Sequence, residues 1–414
     1  MTPFEVFASL TTLAAVFSWI NLRWVRLPAT IGLMAIAMSS SLGLVAMHAL
    51  GAFGGDPLLP GVRDFDFHEV LLNGMLGAML FAGAIHLQAD DLLSQKWPIA
   101  LLATGSVVLS TLIVGGASWL LFGAFGFGVP LLHCLLFGAL ISPTDPIAVG
   151  ALLQKAGVPK SLHIKITGES LFNDGFGVVV FLLILSLLSP GAELSAGHVM
   201  RLFAEEVLGG LAYGFVLGYL AYRMLKTVDH YQVEILITLA VVTGGYALAQ
   251  RLHVSGPLAM VVAGLMVGNQ GRAFAMSERT QQRLDNFWEL VDDFLNAILF
   301  VLIGIEVVVL EFTPSFVVVG LLLIPVALAA RFVSVGAPIM LLRSLRSPVS
   351  PHAIKLLTWG GLRGGISVAL ALSLPKGGHH DLLVTVTYIV VAFSILVQGL
   401  TVAPLAARLR IGTR

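Results

Sequence analysis

Apolar residues fall in long blocks along this chain, separated by short polar breaks. Thirteen of these blocks approach the ~20 residues that an α-helix needs to span a bilayer. They cover residues 4–22, 28–50, 70–87, 98–122, 129–153, 164–188, 200–225, 233–250, 254–268, 287–310, 316–342, 353–374 and 382–405. The pattern predicts an all-α polytopic membrane protein of about thirteen transmembrane helices. Two blocks are interrupted from within. The fifth contains Ser142-Pro143-Thr144-Asp145-Pro146, whose prolines lack a backbone donor and clash with the preceding turn. The twelfth carries Gly360, Gly361, Gly364 and Gly365 around Arg363. Interrupted segments at matching places in two halves point to an inverted repeat with its site at the midplane. The repeats are expected at 1–190 and 232–405, joined by the segment 200–225, in a single transporter domain over 1–414. Asp145 and Arg363 would then face the partial charges of opposite half-helix ends.

The sixth block opens on Glu169-Ser170-Leu171-Phe172-Asn173-Asp174-Gly175. A carboxylate at bilayer depth costs roughly 2.5 to 3.5 kcal/mol even on lenient insertion scales, which makes each one a candidate ion or proton site. Ser170 and Asp174 stand four residues apart and share a helix face. Arg331, inside the eleventh block, cannot shed its proton and demands a counter-charge.

Composition agrees with the block pattern: 57% of residues are hydrophobic, 11% are charged and mean hydropathy is +0.95. Of the 23 Lys and Arg, seventeen lie in one set of alternating loops or at the block ends beside them and four in the other, Arg331 and Arg363 being the two deep inside blocks. Cytoplasmic loops are the basic ones, so the amino terminus is expected outside and the carboxyl terminus in the cytoplasm. The formal net charge of zero suggests no nucleic-acid partner. The single cysteine, Cys134, excludes an internal disulfide framework or a cysteine-based metal site. The first block has no basic leader or small-residue cleavage site and reads as a retained helix. About nine residues follow the last block, and no soluble regulatory domain is expected.

Four stretches in order, "SPTDP" at 142–146, "GESLFNDG" at 168–175, "FVLIGIE" at 300–306 and "GGLRGG" at 360–365, resemble the monovalent cation/proton antiporter family of NhaP-type bacterial antiporters and animal sodium/proton exchangers. The resemblance implies a secondary transporter that exchanges Na+ or Li+ for H+, with K+/H+ exchange as the alternative. It implies no enzyme activity and no cofactor beyond the transported ions. It further implies a homodimer in the plasma membrane, here the bacterial inner membrane. It assigns ion or proton binding to Asp174, with Thr144, Asp145 and Ser170 beside it, and pairs Glu169 with Arg331. Some relatives carry an acid in the third span, where this chain has Leu80-Phe81-Ala82-Gly83-Ala84. The nearby His86, Asp90 and Asp91 are expected at the cytoplasmic end of that span. Asp292 and Asp293 are expected as funnel or solvated-end charges of the tenth.

Antiport needs one group for which two substrates compete, and a buried aspartate meets that need: Na+ and H+ both bind its ionised form and exclude each other. Na+ is a hard cation that takes oxygen ligands. Asp174, Ser170, Thr144 and Asp145, directly or through water, are the candidates, and the one-carboxylate pair Asn173-Asp174 points to one-for-one exchange. Asn173 is expected to hydrogen-bond backbone freed by the helix break, and Arg363 to compensate a helix end. Two readings from other classes are an ion channel on a transporter fold and an intramembrane aspartyl protease with Asp145 and Asp174 as its dyad. The protease's Gly-x-Gly-Asp signature is absent.

Overall fold

A computed structural model describes residues 2–50, 70–145, 159–188, 195–308, 310, 313–344 and 352–409. Among them the chain is almost entirely helical, as expected where no water is present to satisfy backbone groups. Among the described residues eight helical stretches are long and apolar enough to cross a membrane, and Leu76–Ile85 and Leu131–Ile141 are shorter apolar helices. In chain order the helices are α1 (Pro3–Ile20), α2 (Ala29–Ala49), α3 (Leu76–Ile85), α4 (Ala89–Ser94), α5 (Lys96–Ala100), α6 (Ser106–Ala124), α7 (Leu131–Ile141), α8 (Lys160–Ser186) and α9 (Ala196–Leu225). They continue with α10 (Tyr231–Arg251), α11 (Gly256–Met266), α12 (Arg272–Ala275), α13 (Glu278–Glu306), α14 (Pro314–Ser344), α15 (Ala353–Gly360), α16 (Gly365–Leu372), α17 (His380–Phe393) and α18 (Gly399–Arg408).

Two sets of helices pack side by side. In one, α2 and α3 pack on α13, and α11 lies between α3 and α9; in the other, α7 lies on α6, and α14 contacts both α6 and α17. Helix α8 joins them, touching α7 and α11. Small residues allow the close approaches. A Cβ on Gly264 of α11 would lie 2.8 Å from the Phe81 carbonyl of α3, and one on Gly304 of α13 would run into Ala37 of α2.

Helix boundaries depart from the hydropathy blocks where the chain is helical but polar. The region 269–286 reads as a loop, yet α12 occupies part of it and α13 begins at Glu278, capped by the Ser277 hydroxyl accepting from the Thr280 N–H. Charges such as Arg279, Arg283 and Asp285 lower hydropathy without opposing helix formation. The loop expected at 51–69 lies outside the described residues, as does Pro146.

Candidate ion-binding site

The two interrupted segments meet. Helix α7 stops at Ile141, and beyond its C-cap, Ser142, the chain leaves helical geometry where Pro143 can donate no bond. Helix α15 stops at Gly360, residues 361–364 are not helical, and α16 resumes at Gly365. The two breaks cross antiparallel, with the Asp145 N–H donating to the Leu362 carbonyl at 2.8 Å. Each break brings a charge to the other's half-helix. The Arg363 guanidinium donates to the carbonyls of Ser142 (2.6 Å) and Pro143 (3.2 Å), at the negative end of α7. Asp145 sits against the positive end of α16: a Cβ on Gly364 would lie 2.6 Å from both its Cβ and its Oδ2. Gly364→Ala must therefore displace the Asp145 backbone or carboxylate. It is expected to lower the exchange rate at least about tenfold, equivalent to ~1.4 kcal/mol, with normal membrane insertion. Flux and expression measured on the same vesicles check this.

The middle of α8 supplies the remaining polar groups. Glu169 (1% exposed) and Arg331 of α14 (2% exposed) form an ion pair, with Arg331 Nη2 2.7 Å from Oε1 and 2.9 Å from Oε2. The guanidinium also donates to Ser106 Oγ (3.3 Å) and the Leu357 carbonyl (3.4 Å). Asn173 bridges this pair to the α7 break. Its Nδ2 donates to Glu169 Oε1 (3.0 Å) and Thr144 Oγ1 (2.8 Å), while its Oδ1 accepts from the Thr144 N–H (3.2 Å). Asn173 thus hydrogen-bonds the freed backbone. Thr144 Oγ1 also lies 3.5 Å from Arg331 Nη2 and 3.3 Å from Ser170 Oγ. With Asn173 and Arg331 donating to it, its own proton is left for Ser170.

On the far side of these groups lies a cavity of about 50 Å³ whose lining includes Asp145, Asp174, Leu80, Gly83, Leu299 and Ser367. A site of this size holds a small ion with a few waters. Two carboxylates therefore line one cavity. Neither Thr144 nor Ser170 is among the lining residues; their hydroxyls belong to the network around Glu169 and Arg331. The third-span stretch contributes Leu80 and Gly83 and no acid. Nearby charges are engaged elsewhere: His86 Nδ1 lies 3.7 Å from Asp285, which also bonds Arg272, and Asp91 pairs with Lys160 at 2.8 Å. Asp293 is exposed, Asp292 is half-buried and accepts from Asn296 Nδ2 at 3.0 Å, and Glu306 is buried at the end of α13.

Sequence reasoning overlooked Ser367, Ser106 and Ser394, whose hydroxyl accepts from the Arg363 N–H at 2.8 Å. For Ser367 a signal existed: a hydroxyl in the first turn of a half-helix has no carbonyl one turn back within that helix to bond.

Residues 11–408 match the family described as sodium/hydrogen exchanger, transmembrane. The chain is 48% identical over 416 aligned residues to the Na(+)/H(+) antiporter NhaP of Pseudomonas aeruginosa, covering 99% of this chain and 97% of that protein. It is 33% identical to the Na(+)/H(+) antiporter NhaH of Halobacillus dabanensis, over 88% of this chain and 91% of the relative. The structure of the sodium proton antiporter MjNhaP1 from Methanocaldococcus jannaschii superimposes with a TM-score of 0.79 over 98% of each chain, at 17% identity. That likeness is one of fold.

Proposed function

The chain belongs to the sodium/hydrogen exchanger family, and from that premise we propose that it exchanges Na+ or Li+ for H+, one for one, by alternating access. The observation that carries the reading is the single cavity shared by Asp174 and Asp145. Asp174 is the group for which cation and proton compete. Its carboxylate can hold a cation or a proton, and the two are mutually exclusive. Asp145 adds oxygen directly or through water, and Thr144, Ser170 and Asn173 hold the break beside it. Glu169 and Arg331 keep the α8–α14 contact charge-compensated, and Arg363 closes the end of α7. On this reading the protein is a homodimer of the bacterial inner membrane, with thirteen crossings, its amino terminus outside and its carboxyl terminus in the cytoplasm. Its inverted repeats are 1–190 and 232–405.

K+/H+ exchange on the same fold is the second reading, favoured by the missing third-span acid, and the same vesicles challenged in turn with Na+, Li+ and K+ separate the two. Stoichiometry follows from Asn173, which places an amide where a second carboxylate would titrate. In proteoliposomes clamped with K+ and valinomycin, Na+/H+ exchange is expected to be independent of membrane potential. An elementary charge moved across 100 mV is worth about 2.3 kcal/mol, so an electrogenic cycle would reverse at a voltage-dependent point. That outcome refutes one-for-one exchange.

A further inference from the structure

Ser367 is 1% exposed, and its hydroxyl makes no hydrogen bond among the described residues. Ser118 and Thr387 within helices and Ser142 at the C-cap of α7 bond back to a carbonyl three or four residues earlier, at 2.9, 2.7 and 2.7 Å respectively, whereas the buried hydroxyls of Ser110 and Thr167 share the lack of a partner with Ser367 but do not line this cavity. Ser367 occupies the third position of α16, and the residues that would supply such a carbonyl, Arg363 and Gly364, precede the helix in the non-helical break. A buried hydroxyl left without a partner is disfavoured, so one that persists at a cavity wall points to something that enters the cavity. Ser367 lines the same space as Asp145 and Asp174. The oxygen donors expected there from α8 and the α7 break, Ser170 and Thr144, are bonded to each other and to the Glu169–Arg331 network, and the third span offers Leu76, Met79, Leu80 and Gly83, with no side-chain oxygen.

We infer that the Ser367 hydroxyl is an oxygen ligand of the transported cation, completing from α16 a coordination shell that the third span leaves short. This rests on the cavity of Asp174 and Asp145 being the cation site. A neutral oxygen suits the task because it binds a hard cation without adding a second titrating group, leaving the competition with the proton to the carboxylates.

The test is thermal melting of the purified full-length protein in detergent, titrated with Na+ against choline at constant ionic strength. A ligand that binds only the folded state raises the melting temperature by mass action. In Ser367→Ala the Na+ concentration giving half the stabilisation is expected to rise about tenfold, the equivalent of ~1.4 kcal/mol. The melting temperature without Na+ is expected to stay level or rise, because an unpaired buried hydroxyl has been removed. Ser367→Cys, whose sulfur is a softer ligand, is expected to weaken Na+ similarly while leaving Tl+ less affected. An unchanged Na+ midpoint in Ser367→Ala, or a fall in melting temperature without Na+ at an unchanged midpoint, overturns the assignment and leaves the carboxylate site standing. Absence of Na+-dependent stabilisation in the wild type, together with no Na+/H+ exchange, overturns both.

Discussion

Asp174→Asn is expected to abolish exchange while the protein still inserts and runs as the same species in detergent. The amide keeps the shape of the side chain, so the packing of α8 against α7 and α11 has no reason to change. It cannot alternate between proton and cation, however, because it neither carries the charge that attracts Na+ nor releases a proton at accessible pH. The variant should therefore show no Na+-driven proton movement in acid-loaded vesicles, with residual flux at background. Asp145→Asn is the informative companion. If Asp145 contributes through water, exchange should survive with weakened cation affinity and not vanish. Retained Na+-driven alkalinisation in Asp174→Asn would sink the assignment of the competing carboxylate.

The second large effect concerns stability. Glu169 and Arg331 are almost completely buried and in direct contact. Removing one partner of such a pair strands the other charge, at a cost of about 3 to 5 kcal/mol. Glu169→Gln and Arg331→Ala should each lower the melting temperature in detergent far more than they alter the intrinsic affinity for Na+. The pair is also stitched to the α7 break through Asn173 and Thr144, so some loss of rate is expected with the loss of stability. Glu169→Gln combined with Arg331→Gln removes both charges at once and should recover part of the loss. Strictly additive destabilisation in the double-mutant cycle would mean that the two groups are not energetically coupled.

The breaks in the two crossing helices were legible because their causes are local. Pro143 cannot donate, and four glycines around Arg363 weaken helix propensity wherever they stand. The long apolar helices were legible for the same reason, and their polar extensions were not: residues 278–286 are helical, but their charges hide them from a hydropathy count. The carboxylates of the site stand out because ionisable groups are rare in apolar runs. What the hydroxyls do depends on who reaches them in three dimensions. Thr144 resembles a cation ligand on paper, yet its Oγ1 lies among Asn173, Ser170 and Arg331, all of them distant in sequence. Ser367 looks like an ordinary small residue of an apolar helix, and only the cavity on one side and the missing carbonyl on the other set it apart. The Glu169–Arg331 contact spans 162 positions, and no local pattern reveals such a partner.

The five charged side chains gathered at the helix crossing have a tally of their own. Asp145, Glu169 and Asp174 are set against Arg331 and Arg363, so with every group ionised the centre carries one unit of negative charge. Either a proton or a monovalent cation brings it to zero. If exchange proceeds by alternating access, an empty centre would have to cross the low-dielectric barrier as an anion, at a cost of roughly 2.5 to 3.5 kcal/mol on lenient scales, whereas both loaded forms would cross as neutral bodies. On that reading fidelity would need no latch or sensor: the unladen return would be the slow one, and leakage of one ion without its counterpart would be opposed by the arithmetic of the core itself.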